Sequence, residues 1–215
     1  EIFNPDGIFY ALPLRDSEFS IVNNINERDN DPQTCLDNIW RFNNAKPCVG
    51  FKMTHKQNIM VFNSVLNDKR VKKIILIRKN QIKTHVSKLL AQQSGIWEQY
   101  DTPYCAKNSP SKKNKVSVCL QELKNDIAFN ECYYDEIRLH LKKSKQEYIE
   151  VEYDNLNETD TQQRLLNYLH LEKQELVTHS IKQNSSDLRK KISNYSKLLD
   201  QCPKALIAQL TETST

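Results

Sequence analysis

The sequence predicts an α/β domain, a parallel sheet flanked by helices, and two observations carry that expectation. The first is a change of hydrophobic period within residues 71–97, VKKIILIRKNQIKTHVSKLLAQQSGIW. Ile74, Ile75, Leu76 and Ile77 form an unbroken, mostly β-branched apolar run, which suits a strand buried on both faces. Ile82, Val86, Leu89 and Leu90 then recur at helical spacing. The second is the order of segments before that run. PCVGFKM at 47–53 reads as a short apolar strand, and Ile59, Val61, Phe62, Val65 and Leu66 follow on a helical period. Strand, helix, strand is by default a right-handed parallel crossover, so residues 49–51 and 74–77 are expected in one parallel sheet.

Composition narrows the function classes. A chain of 215 residues is enough for one α/β domain with a substantial core, read here as 1–200 with a tail at 201–215. The 31 basic residues are mixed with 27 acidic ones, and a net charge of +4 argues against a nucleic-acid surface. No run approaches the roughly 18–20 apolar residues that cross a bilayer, so no membrane association is expected of this segment. The six cysteines are scattered and form no CxxC, which removes the usual spacing of a metal site and points to a reducing, cytoplasmic compartment. A homodimer is left open.

The remaining elements follow from local signals. EIFNPDGIFYALPL at the start has turn chemistry in its middle and reads as a packed loop. Asp31 followed by Pro32 is a cap and first position for a helix over residues 29–43, with Leu36, Ile39 and Trp40 on one face. Residues 99–115 hold two prolines and four lysines, three of them at 112, 113 and 115, without an apolar period and read as an exposed loop. Val116, Leu120, Leu123, Ile127, Tyr134, Ile137 and Leu141 mark a long amphipathic helix ending in lysines that complement its dipole. YIEVEY at 148–153 alternates apolar and acidic residues, as a strand nearer the sheet edge would. A short helix is expected over 161–169, an irregular segment over 178–184, a helix over 187–199 with Ser186 or Asp187 as its cap, and a disordered end at 211–215.

Arg78, Lys79 and Asn80 stand between the apolar run and the helix that follows it. That is the carboxyl end of a strand, where open α/β sheets bind their ligands. A guanidinium, an ammonium and the amides of a helix start form a seat for a phosphate; a solvated basic turn explains the same residues. Lys52 and His55 lie just past the other strand. His55 is a candidate base and Lys52 a candidate partner for anionic oxygens, while the bland readings are a structural histidine and a solvated lysine. Trp97, Tyr100 and Tyr104 flank the lysine-bearing loop as aromatic faces do in sugar sites, although Trp97 serves equally well as a core residue.

Several blocks together resemble the sulfotransferases that use 3′-phosphoadenosine 5′-phosphosulfate, in particular the bacterial carbohydrate branch typified by trehalose sulfotransferase. EIFN, VGFKMTH, VKKIILIRKNQIKTHVSKLLAQQSGIW, YIEVEYDNL and IKQNSSDLRKKISNY look like family blocks in family order and cover nearly the whole chain to Tyr195. The resemblance implies a P-loop-like, three-layer fold and a sulfotransferase that moves a sulfuryl group from that nucleotide, its co-substrate, to a hydroxyl of a carbohydrate or similar small acceptor, without a metal. It implies that Arg78 and Ser87 bind the donor's 3′-phosphate. The commoner family spacing is eight residues, which Lys79 and Ser87 satisfy, but the bidentate fork of Arg78 suits phosphate better than a point charge. Lys182, Gln183 and Asn184 look like the late block that returns over the donor. Glu1 looks like the counterpart of the proposed catalytic base, with His55 as the second candidate. Lys52 and Trp97 fall to the sulfuryl group and the acceptor.

One departure from the family pattern is large. Its strand, Gly- and Ser/Thr-bearing phosphosulfate loop and first helix would stand before EIFN, and nothing like them occurs here. Residue 1 is Glu, so either upstream residues are missing or the chain is a remnant that cannot catalyse. The alternative function is accordingly a non-catalytic nucleotide- or glycan-binding domain of the same fold. A small-molecule kinase would need a phosphate loop and a magnesium-holding acid, and neither is present in the sequence.

Overall fold

The computed structural model describes residues 25–41, 47–54, 57–95, 115–176 and 187–212. They form eight α-helices and two strands. In order these are α1 (Ile25–Asn30), α2 (Pro32–Arg41), α3 (Ile59–Asn67), β1 (Lys73–Ile77), α4 (Gln81–Ser94), α5 (Leu120–Lys143), β2 (Tyr148–Glu152), α6 (Thr159–Leu169), α7 (Tyr195–Gln201) and α8 (Lys204–Thr211). The chain is mixed α/β and mostly helical, with β1 and β2 paired in a small parallel sheet flanked by helices.

The described residues fall into two compact units rather than one. The first takes the chain up to Ile75, Ile137–Glu150 and Glu158–Lys173; the second takes Leu76–Glu136, Val151–Asn157 and the chain from Gln174 on. The chain therefore passes from one unit to the other within β1, within α5 and within β2.

In the first unit, α2 begins as the sequence expects. The Asp31 carboxylate accepts from the Thr34 amide at 3.0 Å and so fills an orphan donor of the first turn. Cys35, Leu36 and Ile39 of α2 and Val61 of α3 form the buried core, with Trp40, Val49, Phe51, Met53 and Val65 packed against it. Asn58 caps α3 through the Val61 amide. Val49, Phe51 and Met53 are half-buried while Gly50, Lys52 and Thr54 are exposed, the two-residue alternation of a strand. No strand forms there, however, and the neighbour of β1 is β2. The alternation records packing on α2 and α3, for which an apolar face suffices without a ladder.

The expectation that the IILI run is buried on both faces also needs correction. Lys73 and Ile75 are buried, but Ile74 and Leu76 on the opposite face are exposed, because among the described residues the sheet has two strands and only one face of β1 is covered. The buried Lys73 ammonium is compensated by hydrogen bonds to the Asp68 carbonyl and, at 2.5 Å, to the Gln146 side chain. Burial lowers its pKa.

The second unit has the larger core. Ile82, Val86 and Leu90 of α4 share it with Leu123 of α5, Leu198 of α7 and Leu210 of α8, and with Val116, Val118, Leu188, Ile192 and Cys202 from the segments between helices. Here the helix expected over 187–199 is broken in two. Asp187 is the cap, accepting from the Arg189 amide at 3.0 Å, but it opens only a short 3₁₀ turn, Leu188–Lys190. The chain then runs alongside residues 116–118. Val116 donates to Lys191 and accepts from Ser193, both at 2.8 Å. The Asn194 side chain accepts from the Val118 amide and donates to the Val118 carbonyl, each at 2.9 Å. A long-range pairing thus outcompetes a local helical period. The tail expected from residue 201 on is instead largely α8, with Leu210 buried in this core.

Asn194→Ala removes both side-chain bonds to Val118 and should destabilise the protein by about 1–3 kcal/mol. Urea unfolding followed by circular dichroism is the check, and an unchanged midpoint would show that the break in the helix has another origin.

Candidate functional site at the carboxyl edge of the strand pair

β1 and β2 are parallel, so their carboxyl ends lie at the same edge and bring residues 78–80 beside residues 152–153. Both segments belong to the second unit. Arg78, half-buried, lies over the Tyr153 ring, its guanidinium carbon 3.8 Å from the ring centroid. A guanidinium laid on an aromatic face is attracted by the ring quadrupole and keeps its N–H donors at its rim. No acceptor or carboxylate takes those donors among the described residues. The exposed Lys79 ammonium pairs with Glu152 at 2.6 Å.

Asn80 fixes the turn. It is buried, and its side-chain oxygen caps α4 by accepting from the Lys83 amide at 2.8 Å. Its side-chain nitrogen donates to the Gln209 carbonyl at 2.7 Å and to Glu212 at 2.5 Å. The Gln81 amide donates to the Gln209 side chain at 2.8 Å, and the Gln81 side chain returns to the Arg78 carbonyl at 2.6 Å. Lys83 adds an ion pair to Glu212 at 3.4 Å. Two amides at the start of α4 are therefore engaged by the chain itself, and the end of α8 supplies a carboxylate beside that helix terminus, where the dipole favours one. The helix-start donors expected to face a phosphate are in part already used; the Arg78 rim, among the described residues, is not.

Ser87 is half-buried on α4 and, by helical rise, about 9 Å further along the axis than Gln81. Lys52 is exposed in the first unit, whereas Arg78, Lys79 and Ser87 belong to the second. Glu1, His55, Trp97, Lys182, Gln183 and Asn184 lie outside the described residues.

A further polar cluster joins α4 to α5. His85, 4% exposed, places Nδ1 2.7 Å from Asp126, and Lys88 reaches both oxygens of the same carboxylate at 3.1 and 2.9 Å. An ionised carboxylate only accepts, so Nδ1 carries the proton; the buried Nε2 has no hydrogen-bond partner among the described residues. Burial alone would raise the Asp126 carboxyl, but the hydrogen bonds from Lys88 and His85 outweigh it and hold it below its ordinary value.

Sequence reasoning did not single out Glu152, Tyr153, His85, Asp126, Gln209 or Glu212. Their partners are remote in the chain, and only the parallel order of the two strands could have brought 78–79 and 152–153 together in advance. Among the described residues no group of His, Cys, Asp and Glu could hold a metal ion, and no helix is long and apolar enough to cross a membrane. No protein-family model, curated protein or solved structure matches the chain.

The lowered Asp126 pKa fixes the sign of a pH dependence. A carboxyl whose folded pKa is depressed contributes stability above its unfolded value, near 4, and loses it as pH falls through the folded value. Thermal melts should therefore show wild type losing more stability than Asp126→Asn on acidification from about pH 5 to pH 2. Parallel losses would remove Asp126 from the account of acid sensitivity.

Proposed function

We propose that the protein is a sulfotransferase that transfers the sulfuryl group of 3′-phosphoadenosine 5′-phosphosulfate to a hydroxyl of a carbohydrate or similar small acceptor, on a P-loop-like fold. The observation that supports this reading most is the state of Arg78. Its guanidinium is backed by Tyr153 and its donors have no acceptor among the described residues, at the edge of a parallel strand pair where phosphates commonly bind. The resemblance of the surrounding blocks supplies the identity of the ligand.

In this reading Arg78 holds the 3′-phosphate, with Ser87 as the hydroxyl donor to the same group. Because Ser87 lies well along α4 and the amides of Gln81 and Lys83 are engaged, the phosphate sits against the flank of the helix rather than on its first turn. The resemblance assigns Lys182, Gln183 and Asn184 to the donor and Trp97 to the acceptor. The acceptor oxygen forms a bond to sulfur as the bond from sulfur to the bridging phosphate oxygen breaks. The hydroxyl proton passes to Glu1 or His55, and 3′-phosphoadenosine 5′-phosphate leaves. In-line alignment and stabilisation of the leaving phosphate do most of the work in a transfer of this kind.

A non-catalytic nucleotide- or glycan-binding domain is the second reading. It needs the Arg78–Tyr153 arrangement alone, whereas transfer also needs a phosphosulfate loop, which Gly7, Gly50 and Gly95, far apart in the sequence, do not build. Both readings share the Arg78 site and part on turnover.

Titration calorimetry of the folded chain with 3′-phosphoadenosine 5′-phosphate should give saturable binding that Arg78→Ala weakens about tenfold or more, and His55→Ala weakens less. Absence of binding counts against both readings, and the opposite order of the two variants would put the site elsewhere. Sulfuryl transfer to a sugar acceptor then separates the enzyme from the binding domain.

A further inference from the structure

Two adjacent cations leave β1, and the sequence does not say which of them serves a phosphate. Lys79 stands at the eight-residue spacing from Ser87 that is commoner in the family the blocks resemble, and Arg78 stands at nine. The structure treats them differently. Arg78 is half-buried, lies 3.8 Å from the centre of the Tyr153 ring and has no ion pair among the described residues. Lys79 is 74% exposed, and its ammonium is 2.6 Å from Glu152, itself 37% exposed. Glu152 and Tyr153 are consecutive, the last residue of β2 and the first beyond it.

We infer that this pair sorts the two cations. Tyr153 holds the Arg78 guanidinium over its ring, with donors that no acceptor takes among the described residues, and Glu152 draws Lys79 away, so that Arg78 is the anion ligand and Lys79 is held in reserve. The inference rests on the phosphate reading of this edge and adds two residues to it, neither of which need touch the ligand.

The physical grounds are three. A guanidinium already held over an aromatic ring loses little further rotamer freedom when it binds an anion, because its position is largely set beforehand. A lysine that must leave a carboxylate before meeting a phosphate gives up one favourable contact for another, so its net gain is small. Glu152 also opposes an incoming anion by like charge, which makes selectivity for Arg78 as much a matter of repulsion as of attraction. The Lys79–Glu152 pair is exposed and therefore weak, so the sorting amounts to a modest bias and is easily reversed by removing one charge.

Titration of the full chain with 3′-phosphoadenosine 5′-phosphate at low salt tests this, with circular dichroism melts showing that each variant is folded. Glu152→Gln should tighten binding about threefold, and the gain should shrink as salt is added. Arg78→Ala should weaken binding, and Glu152→Gln in that background should recover about threefold to tenfold by releasing Lys79. Lys79→Ala added to this double variant should abolish the recovery. Tyr153→Phe should bind as wild type does, because the ring is kept. Tyr153→Leu should weaken binding in wild type but not in Arg78→Ala, a dependence that a merely structural role would not produce. If Arg78→Ala weakens binding while Glu152→Gln changes nothing in either background, the sorting is overturned and the phosphate reading stands. If Tyr153→Leu weakens both backgrounds equally, its positioning role falls. If neither wild type nor Glu152→Gln binds the nucleotide, the phosphate reading falls and this inference with it.

Discussion

The buried side chain of Asn80 is the constraint on which the turn from β1 to α4 depends. One amide group caps the helix through the Lys83 amide, meets the Gln209 carbonyl and meets the Glu212 carboxylate. A buried amide with all three of these bonds made is stable where a partly satisfied one would be costly. It sets the direction in which α4 leaves the strand and ties the end of α8 to that point. Arg78 and Lys79, the two residues before it, are consequently delivered to the sheet edge in a fixed order.

That edge illustrates how a parallel pair brings unlike residues together. The strand ends carry unlike residues, two cations on one and an acid followed by an aromatic on the other, and their proximity divides the cations into one that is paired and one that is platformed. The helix start that sequence reasoning counted among the phosphate donors is instead partly committed to the chain's own C-terminal segment. Among the described residues a guanidinium with its face supported and its rim unclaimed is the group at this corner best suited to an anion.

Much of this was legible in the sequence where the cause was local. The Asp31 cap and the apolar faces of α2, α4, α5 and α6 follow from spacing alone, as does the existence of β2, although burial along it does not alternate and only Val151 is fully buried. The misreadings have physical causes of two kinds. An apolar alternation at Val49, Phe51 and Met53 served packing rather than pairing, and an apolar run at 74–77 belongs to a strand with one face covered. The break at 191–194 was set by Val116 and Val118, which no local window contains. The helix α8 was written in Pro203 followed by Leu206, Ile207 and Leu210, a start signal and a short apolar face that a terminal position obscured. Of the site, Arg78 and its corner were legible, while the Tyr153 platform was not, since aromatic support from another strand leaves no mark in the sequence around the arginine.

The central claim is that the donor rim of Arg78 is where the nucleotide's phosphate attaches. Its most direct test is the arginine side-chain Nε–Hε signal of Arg78 in ¹H–¹⁵N NMR spectra, assigned by its loss in a substituted chain and followed as 3′-phosphoadenosine 5′-phosphate is added. The account predicts that this signal shifts and saturates with the ligand, in step with the amides at the end of β1 and along α4. A signal that stays in place while residues elsewhere respond to the nucleotide would contradict it.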